Sequence, residues 1–243
     1  MKLLRILHAA HAILVFAVLF VLFFPLLLIP IVWKRWHGLV GVFNRWWARL
    51  FFTLTLFPHR VELRSELDKK KQYIFCANHF SYLDIPAMGL NPVNAIFVGK
   101  NDMEKIPLFG FMYRKLHITV NRQSIRSRYA TVLRSLEAID EGKSLVIFPE
   151  GGIVSDTPPQ MARFKDGAFR MAIEKQIPII PVTIPYNWII LPDSSYLPRH
   201  RSLKVIFHEP ILTEGVTLED IEVLKGRTYE IIDAELKRHN HEN

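Results

Sequence analysis

The chain has 243 residues, half of which are hydrophobic, and its mean hydropathy of +0.15 is high for a protein that never contacts a membrane. Its 31 basic and 23 acidic residues give a net charge of +8, which suits an anionic membrane, an anionic substrate or nucleic acid. The single cysteine, Cys76, excludes an internal disulfide framework and a cysteine-based zinc site.

Residues 1–57 predict N-terminal membrane helices. No Asp, Glu, Lys or Arg occurs from Ile6 to Trp33, and a bilayer span needs about 20 apolar residues. A cleaved signal peptide is the alternative, but its apolar region is roughly 7–15 residues long and is followed by small residues. Here Lys34-Arg35-Trp36 follows a longer apolar run, so an inserted segment is favoured.

The shape of this segment is left open by two features. Pro25 and Pro30 interrupt the apolar run, and proline kinks a helix by removing a backbone hydrogen bond. A second apolar stretch covers residues 38–57, and it carries side chains that suit the headgroup level of a bilayer, namely Arg45, Trp46, Trp47 and Arg49. One full crossing and a hairpin of two helices in one leaflet both fit. Basic residues flank the apolar run on both sides, so they give no orientation.

Residues 58–243 predict a second domain, with the polar segment 58–72 as its boundary. Six short apolar runs predict strands, at Tyr73–Ala77, Ala95–Val98, His117–Val120, Leu145–Phe148, Ile177–Thr183 and Lys204–Phe207. Continuous apolar runs are typical of strands that are buried on both faces.

Helical patterns lie between these strands. Residues 124–142 repeat apolar side chains at helical spacing, with Ser124 as a candidate N-cap and Gly142 just past the end. Residues 166–175 precede the fifth strand in the same way, and Thr217 opens a helix that runs to about Arg238. Strands that alternate with helices predict an α/β fold, with a largely parallel mixed sheet flanked by helices.

Polar residues follow three of the predicted strands. His79, Arg122 and Glu150-Gly151 each come one or two residues after a strand ends. Ligands of open α/β sheets bind at the carboxyl ends of the strands. If these strands are parallel neighbours, we expect the three positions to converge at one edge of the sheet.

His79 and Asp84 form the pair with the clearest chemistry. Histidine is the usual general base near neutral pH, and a carboxylate can orient its ring, as in the hydrolase triads. On the spacing alone, an ordinary surface or capping pair also fits. The chain has no Gly-x-Ser-x-Gly motif, and Cys76 falls inside a strand, where a buried and inert thiol is expected. The pair therefore indicates direct activation of a substrate hydroxyl.

Weaker signals accompany the pair. Gly151 and Gly152 would let the backbone approach a ligand closely, although a plain glycine turn fits as well. Arg122 could bind a phosphate through two guanidinium N–H groups, and Lys165 adds another cation.

In chain order, these segments resemble four motifs of the glycerolipid acyltransferase family, the lysophosphatidic acid acyltransferases in particular. Asn78-His79-x4-Asp84 matches the first motif. The other three are similar to Lys100 with Ile106-Pro107, Gly110 and Arg122, to Phe148-Pro149-Glu150-Gly151 with Phe164-Lys165-x-Gly167, and to Ile177-Pro178-Ile179-Ile180-Pro181-Val182. The resemblance covers about residues 73–190, and N-terminal membrane helices also fit the family.

The resemblance implies that His79 deprotonates the free hydroxyl of a lysolipid while Asp84 orients His79. The hydroxyl oxygen would attack the thioester of acyl-CoA or acyl carrier protein, without a metal or other cofactor. With 1-acylglycerol-3-phosphate as the acceptor, the product is phosphatidic acid. The expected location is the cytoplasmic (inner) membrane, with the catalytic domain, residues 58–243, on the cytoplasmic side.

The resemblance also implies a set of substrate-binding residues. Arg122, supported by Lys100, would hold an anionic head group, and Glu150 with Gly151 would bind the glycerol phosphate. The full set is Asn78, Lys100, Arg122, Glu150, Gly151, Gly152 and Lys165.

One departure from the family concerns phosphate binding. The third motif usually continues with Thr-Arg, whose arginine helps to bind phosphate, and Gly152-Ile153 stands here instead. Arg163 or Lys165 could compensate, or the acceptor is a different lysolipid, such as a lysophospholipid or a lyso-aminolipid.

Two other functional classes stay open. A thioester hydrolase would use His79 to activate water, and a basic protein without catalysis would bind membranes or nucleic acid. The cations are scattered rather than striped and no nucleic-acid fold signature occurs, so a nucleic-acid partner is not expected.

Overall fold

The structure is a computed structural model that describes residues 2–100 and 104–240. Within these residues, seven strands form one sheet, in the order β1-β7-β6-β2-β5-β3-β4. The strands are β1 His59–Leu63, β2 Ile74–Ala77, β3 Ala95–Lys100, β4 Ile118–Val120, β5 Ser144–Ile147, β6 Ile179–Thr183 and β7 Leu203–Phe207. Neighbouring strands are parallel except β6 and β7, which are antiparallel. The predicted largely parallel mixed sheet is therefore confirmed.

Helices cover both faces of this sheet. They are α1 Lys2–Val32, α2 Leu39–Leu54, α3 Asp84–Met88, α4 Phe109–Leu116, α5 Ile125–Asp140, α6 Gly167–Lys175, α7 Asn187–Ile190 and α8 Ile221–Asn240. The predicted cap of α5 is confirmed, because the Ser124 hydroxyl accepts the backbone N–H of Ser127. Gly142, just past α5, has a φ of +84°. A capping box at Thr217 precedes α8, which ends at Asn240 rather than near Arg238.

The central strands are buried on both faces, because successive side chains of a strand point to opposite sides of the sheet. In β2, Phe75 and Ala77 pack in the core that includes α2 and α3. Ile74 and Cys76 pack in the opposite core, which includes α5, α6 and α8. This double burial explains why the strand sequences are continuously apolar.

The N-terminal helices α1 and α2 pack against each other, joined by a short 3₁₀ turn at Lys34–Trp36. α1 continues through Pro25 and Pro30, so the interruption expected at these prolines does not end the helix. Among the described residues, α1 is the helix long and apolar enough to cross a membrane. α2 buries Phe52 in the same core as β2, and the predicted domain division after residue 57 stays a prediction.

β1 lies in the segment that was expected to be a polar boundary, so the predicted set of strands was incomplete. It pairs in parallel with β7, with Val61 opposite Val205. The strand is at the edge of the sheet, and its side chains are exposed or half-buried, including the charged Arg60 and Glu62. Charged residues are common on edge strands, and they leave no apolar run to detect.

Candidate active site

The positions that follow β2, β4 and β5 lie at one edge of the sheet. β2 pairs in parallel with β5, β5 with β3, and β3 with β4, so the carboxyl ends of these strands share an edge. His79 follows β2, Arg122 follows β4, and Glu150 follows β5. The predicted convergence of these three positions is confirmed by the strand pairing.

His79 and Asp84 form a hydrogen-bonded pair within a tight turn. His79 Nδ1 lies 3.0 Å from Asp84 Oδ2, and the same oxygen accepts the backbone N–H groups of Phe80 and Ser81 at 2.8 Å each. Asp84 is fully buried, so these donors replace the water that a carboxylate loses on burial. Because a carboxylate partner requires a proton on Nδ1, Nε2 is the basic nitrogen of His79.

Phe148 supports the other side of the imidazole. The rings of His79 and Phe148 are stacked, with centroids 4.1 Å apart and planes inclined by 19°. His79 is 7% exposed. Stacking and the bond to Asp84 together restrict rotation of the ring, which is what a positioned general base requires.

Glu150 supports the backbone at His79. Its Oε1 accepts the N–H of His79 at 2.7 Å, and its Oε2 accepts the N–H of Ala162 at 2.9 Å. Burial raises the pKa of Glu150 to about 7, although the two N–H groups act in the opposite direction. Both carboxylate oxygens are thus bound to the backbone, and the role of Glu150 in binding glycerol phosphate stays a prediction.

Two cationic side chains pack against the neighbouring glycines. A Cβ on Gly151 would lie 2.8 Å from Lys165 Cε, and a Cβ on Gly152 would lie 2.9 Å from Arg122 Nη1. Gly151 has a φ of +81°, which a glycine adopts without strain. The two glycines therefore allow both cations to approach the backbone closely.

These cations line a cavity of about 160 Å³. Phe148 also lines it, so the cavity adjoins the ring on which His79 stacks. Arg128 contributes a further guanidinium that was not predicted. In the sequence, Arg128 lies four residues after the N-cap Ser124, in the first turn of α5, and this position is the feature that could have indicated it. Three cationic side chains around one cavity suit an anionic head group.

The predicted binding residues Asn78 and Lys100 have different surroundings. Asn78 is fully buried, and its amide donates to the carbonyl of Ile184 at 3.0 Å and accepts the N–H of Ile184 at 2.8 Å. Lys100 is exposed at the end of β3, opposite Val120 in the strand register. Asn78 thus braces the chain after β6, and the substrate-binding roles of both residues stay predictions.

A second cavity, of about 110 Å³, adjoins the end of the turn that joins His79 to Asp84. Ile85 and Pro86, which directly follow Asp84, form part of its wall. Most of the remaining wall is aromatic and comes from α1, α2, α4 and β3, with Phe16, Phe20, Phe23, Phe43, Trp47, Phe97, Phe109 and Tyr113. The dyad therefore lies next to one cationic and one apolar cavity.

Asn187 completes the surroundings of the dyad, and no sequence motif indicated it. Its Nδ2 donates to Asp84 Oδ1 at 2.9 Å across 103 residues of sequence.

The expected inertness of Cys76 agrees with its environment, because the thiol is fully buried and burial raises its pKa.

Known proteins are similar to this chain in sequence and in fold. An acyltransferase family model matches residues 59–185. A 1-acyl-sn-glycerol-3-phosphate acyltransferase of Haemophilus influenzae is 28% identical and is matched over 81% of each chain. A chloroplastic enzyme of the same name from Brassica napus is 26% identical over 70% of this chain and 50% of its own length. The chain thus spans about half the length of some of the curated relatives that it matches.

A crystal structure of the LPA acyltransferase PlsC from Thermotoga maritima superposes with a TM-score of 0.81. The match covers 99% of this chain and 98% of that chain at 20% sequence identity, and it therefore shows the shared fold. The family model covers more than half of this chain. The chain belongs to the acyltransferase family.

Proposed function

We propose that this protein is a membrane-associated O-acyltransferase that transfers a fatty acyl group from a thioester to the free hydroxyl of a lysolipid. The acceptor that fits best is 1-acylglycerol-3-phosphate, and the product is then phosphatidic acid. The observation that carries the proposal is the His79–Asp84 pair, held 3.0 Å apart beside a cavity lined by Arg122, Arg128 and Lys165.

The dyad geometry supports a direct transfer without a covalent enzyme intermediate. Nε2 of His79 takes the proton of the lysolipid hydroxyl while its oxygen attacks the thioester carbonyl carbon. The imidazolium is stabilised by Asp84 through Nδ1. The C–S bond then breaks, and the proton on Nε2 passes to the departing thiolate of CoA or acyl carrier protein. The products are an ester and a free thiol, and a positioned base of this kind contributes roughly 10²–10⁴-fold in rate.

The cationic cavity supports an anionic head group for the acceptor. Arg122 and Lys165 reach the glycine backbone at Gly151-Gly152, and Arg128 adds positive charge on the same cavity. A phosphate can accept several charge-assisted hydrogen bonds from such groups. Because Ile153 replaces the arginine of the family motif, these three side chains are the ones we expect to bind the phosphate.

The apolar cavity supports an acyl chain as the other ligand. Its wall includes Ile85 and Pro86, directly after Asp84, so an acyl chain in it can present its thioester near the dyad. Apolar cavities with a few polar groups at one end are typical of sites for amphipathic ligands. The reaction needs no cofactor beyond the two co-substrates.

The contacts of α1 support attachment to one membrane leaflet rather than a helix that projects away from the domain. Arg5 donates to the carbonyls of Leu197 and Pro198, and His8 contacts the carbonyl of Thr55 at 2.7 Å. Farther along, Leu27 packs with Met112 of α4. α1 is thus held against the domain near both ends, while many of its apolar side chains are exposed. We expect the cytoplasmic face of the inner membrane, where acyl thioesters are available.

A panel of lysolipids tests the proposal. The full chain in vesicles receives acyl-CoA or acyl carrier protein thioester with lysophosphatidic acid, other lysophospholipids or a lyso-aminolipid, and lipid mass spectrometry and thiol release are measured. We expect a new diacyl lipid and thiol release that requires the lysolipid. Equal thiol release without a lysolipid would identify a hydrolase. No thiol release with any acceptor would overturn the proposal.

A further inference from the structure

The chain that follows β6 is bound to the catalytic turn at several points. The segment 184–191 contains α7, and it returns across residues 78–84. Three pairs of residues make the hydrogen bonds between the two segments, namely Asn78 with Ile184, Asn187 with Asp84, and Ser81 with Leu191. The segment after β6 therefore forms part of the wall of the active site, although about a hundred residues separate the two segments in sequence.

The two carboxylate oxygens of Asp84 accept different numbers of hydrogen bonds. Oδ2 accepts three hydrogen bonds, from His79, Phe80 and Ser81. Oδ1 accepts one, from Nδ2 of Asn187 at 2.9 Å. The carboxylate can turn only about its Cβ–Cγ bond, and that rotation moves both oxygens together. The bond to Oδ1 therefore adds a restraint that helps to hold Oδ2 in place on Nδ1 of His79.

We infer that Asn187 is a positioning residue for the acyl transfer, holding Asp84 so that Oδ2 stays on Nδ1 of His79. The inference rests on the proposed function, because it assigns a role in that reaction. Asn187 acts through Asp84 and then His79, so its loss changes the orientation and basicity of the imidazole rather than the binding of either substrate. The charge of Asp84 also becomes less neutralised without this donor.

The contacts of Asn187 differ from those of a residue that serves only the fold. Asn78 bonds through both ends of its amide to backbone groups of one residue, Ile184. Asn187 is 1% exposed, and its Oδ1 has no hydrogen-bond partner among the residues that the structure describes. An unpaired buried oxygen costs stability, so the position is not optimised for folding. Its amide instead donates to Asp84, the carboxylate that contacts the imidazole ring of His79.

Two substitutions of Asn187 test this role against a matched control. Asn187→Leu keeps the size and removes the donor, and Asn187→Asp keeps the shape and adds a second carboxyl beside Asp84. The control is Thr183→Val, which removes the buried hydrogen bond between Thr183 and His208, 2.8 Å long, and leaves the four hydrogen bonds to Asp84 in place. Steady-state rates are measured against pH and against acceptor concentration, and thermal unfolding reports how much protein is folded.

We expect kcat to fall roughly 10- to 100-fold in Asn187→Leu, because a hydrogen bond to a buried charge is lost, while KM for the acceptor stays unchanged. The acidic limb of the pH–rate profile should move to higher pH in Asn187→Leu, because the charge of Asp84 that faces the imidazolium is less neutralised. In Asn187→Asp the two adjacent carboxyls share one proton, which donates to Asp84 in place of the amide, so the limb should move less. Glu150, the other carboxyl that interacts with Asp84, is present in every variant. Thr183→Val should keep the wild-type profile.

The outcomes separate this inference from the proposed function. An inactive wild-type chain would refute the function itself. With an active wild type, a folded Asn187→Leu variant that keeps both kcat and the wild-type pH profile would overturn the positioning role. A rise in KM without a change in kcat would overturn it too, because Asn187 would then bind substrate.

Discussion

The guanidinium of Arg122 occupies the space that a side chain at position 152 would need, since a Cβ on Gly152 would lie 2.9 Å from Arg122 Nη1. The family motif carries threonine at this position and arginine at the next one, where this chain has Gly152-Ile153. The absence of a side chain at 152 and the close approach of Arg122 are therefore two parts of one arrangement. We expect Arg122 to supply the phosphate contact that the missing arginine makes elsewhere.

Replacing Gly152 with alanine should weaken acceptor binding. The new methyl group displaces Arg122, and losing a charge-assisted contact to phosphate raises KM for lysophosphatidic acid by roughly 10- to 100-fold. Gly142→Ala is the matched control, because Gly142 also has a positive φ of +84° but has no atom within 4 Å of the added Cβ. Steady-state kinetics of both variants check this. Equal KM values in the two variants would show that Arg122 does not bind the acceptor.

Removing either member of the His79–Asp84 dyad should lower kcat. We expect His79→Ala to lower kcat by roughly 10²–10⁴-fold, because the general base is lost. Asp84→Asn should also lower kcat, since an amide in place of the carboxylate no longer fixes the proton on Nδ1. Asp140→Asn is the control, because Asp140 forms an exposed ion pair with Lys175 at 2.6 Å, away from the dyad. Full activity of folded His79→Ala would refute general-base catalysis by this residue.

Glu150 should make the folded protein less stable as the pH rises. The folded state binds the proton of Glu150 more tightly than the unfolded state does, with a pKa near 7 instead of the ordinary 4.5. Its contribution to the free energy of unfolding is thus fully present below pH 4.5 and is lost as the pH rises to about 7. The expected loss is about 3 kcal/mol, which is an upper bound.

Urea unfolding of wild type and Glu150→Gln across this pH range measures the effect. Buried histidines act in the opposite direction, because burial lowers the pKa of His208 to about 4, so the difference between the two proteins is the relevant quantity. The glutamine leaves one backbone N–H without its acceptor and lowers stability at every pH. A difference that does not change with pH would contradict the raised pKa of Glu150.

The exposed face of α1 should control membrane binding. Val21 and Leu22 are 63% and 64% exposed, and burying such side chains in lipid contributes about 1.5–3 kcal/mol each. We expect the double change of Val21 and Leu22 to Asp to reduce flotation with vesicles at least tenfold. Val223→Asp on α8 is the control, since Val223 is 72% exposed on a different surface. Undiminished flotation of the double variant would show that this face does not enter the bilayer.

Local patterns in the chain sufficed to predict the central part of the fold and the dyad. Four of the six predicted strands, β2, β3, β5 and β6, place side chains in both cores, which makes their sequences continuously apolar. His79 and Asp84 are five positions apart, so one tight turn is enough to bring them within hydrogen-bond distance. The order of strands and helices then placed His79, Arg122 and Glu150 at one sheet edge.

Only the tertiary structure decided the remaining features, because they depend on contacts between distant parts of the chain. β1 is an edge strand without an apolar pattern, and its pairing with β7 arises from packing. Arg128 and Arg122 reach one cavity because α5 packs against β4 and β5, which lie on either side of β3 in the sheet. The bond from Asn187 to Asp84 joins residues 103 positions apart, and no short-range spacing encodes it. The sequence alone thus determined which groups can react, and the packing of the chain determined what holds them in place.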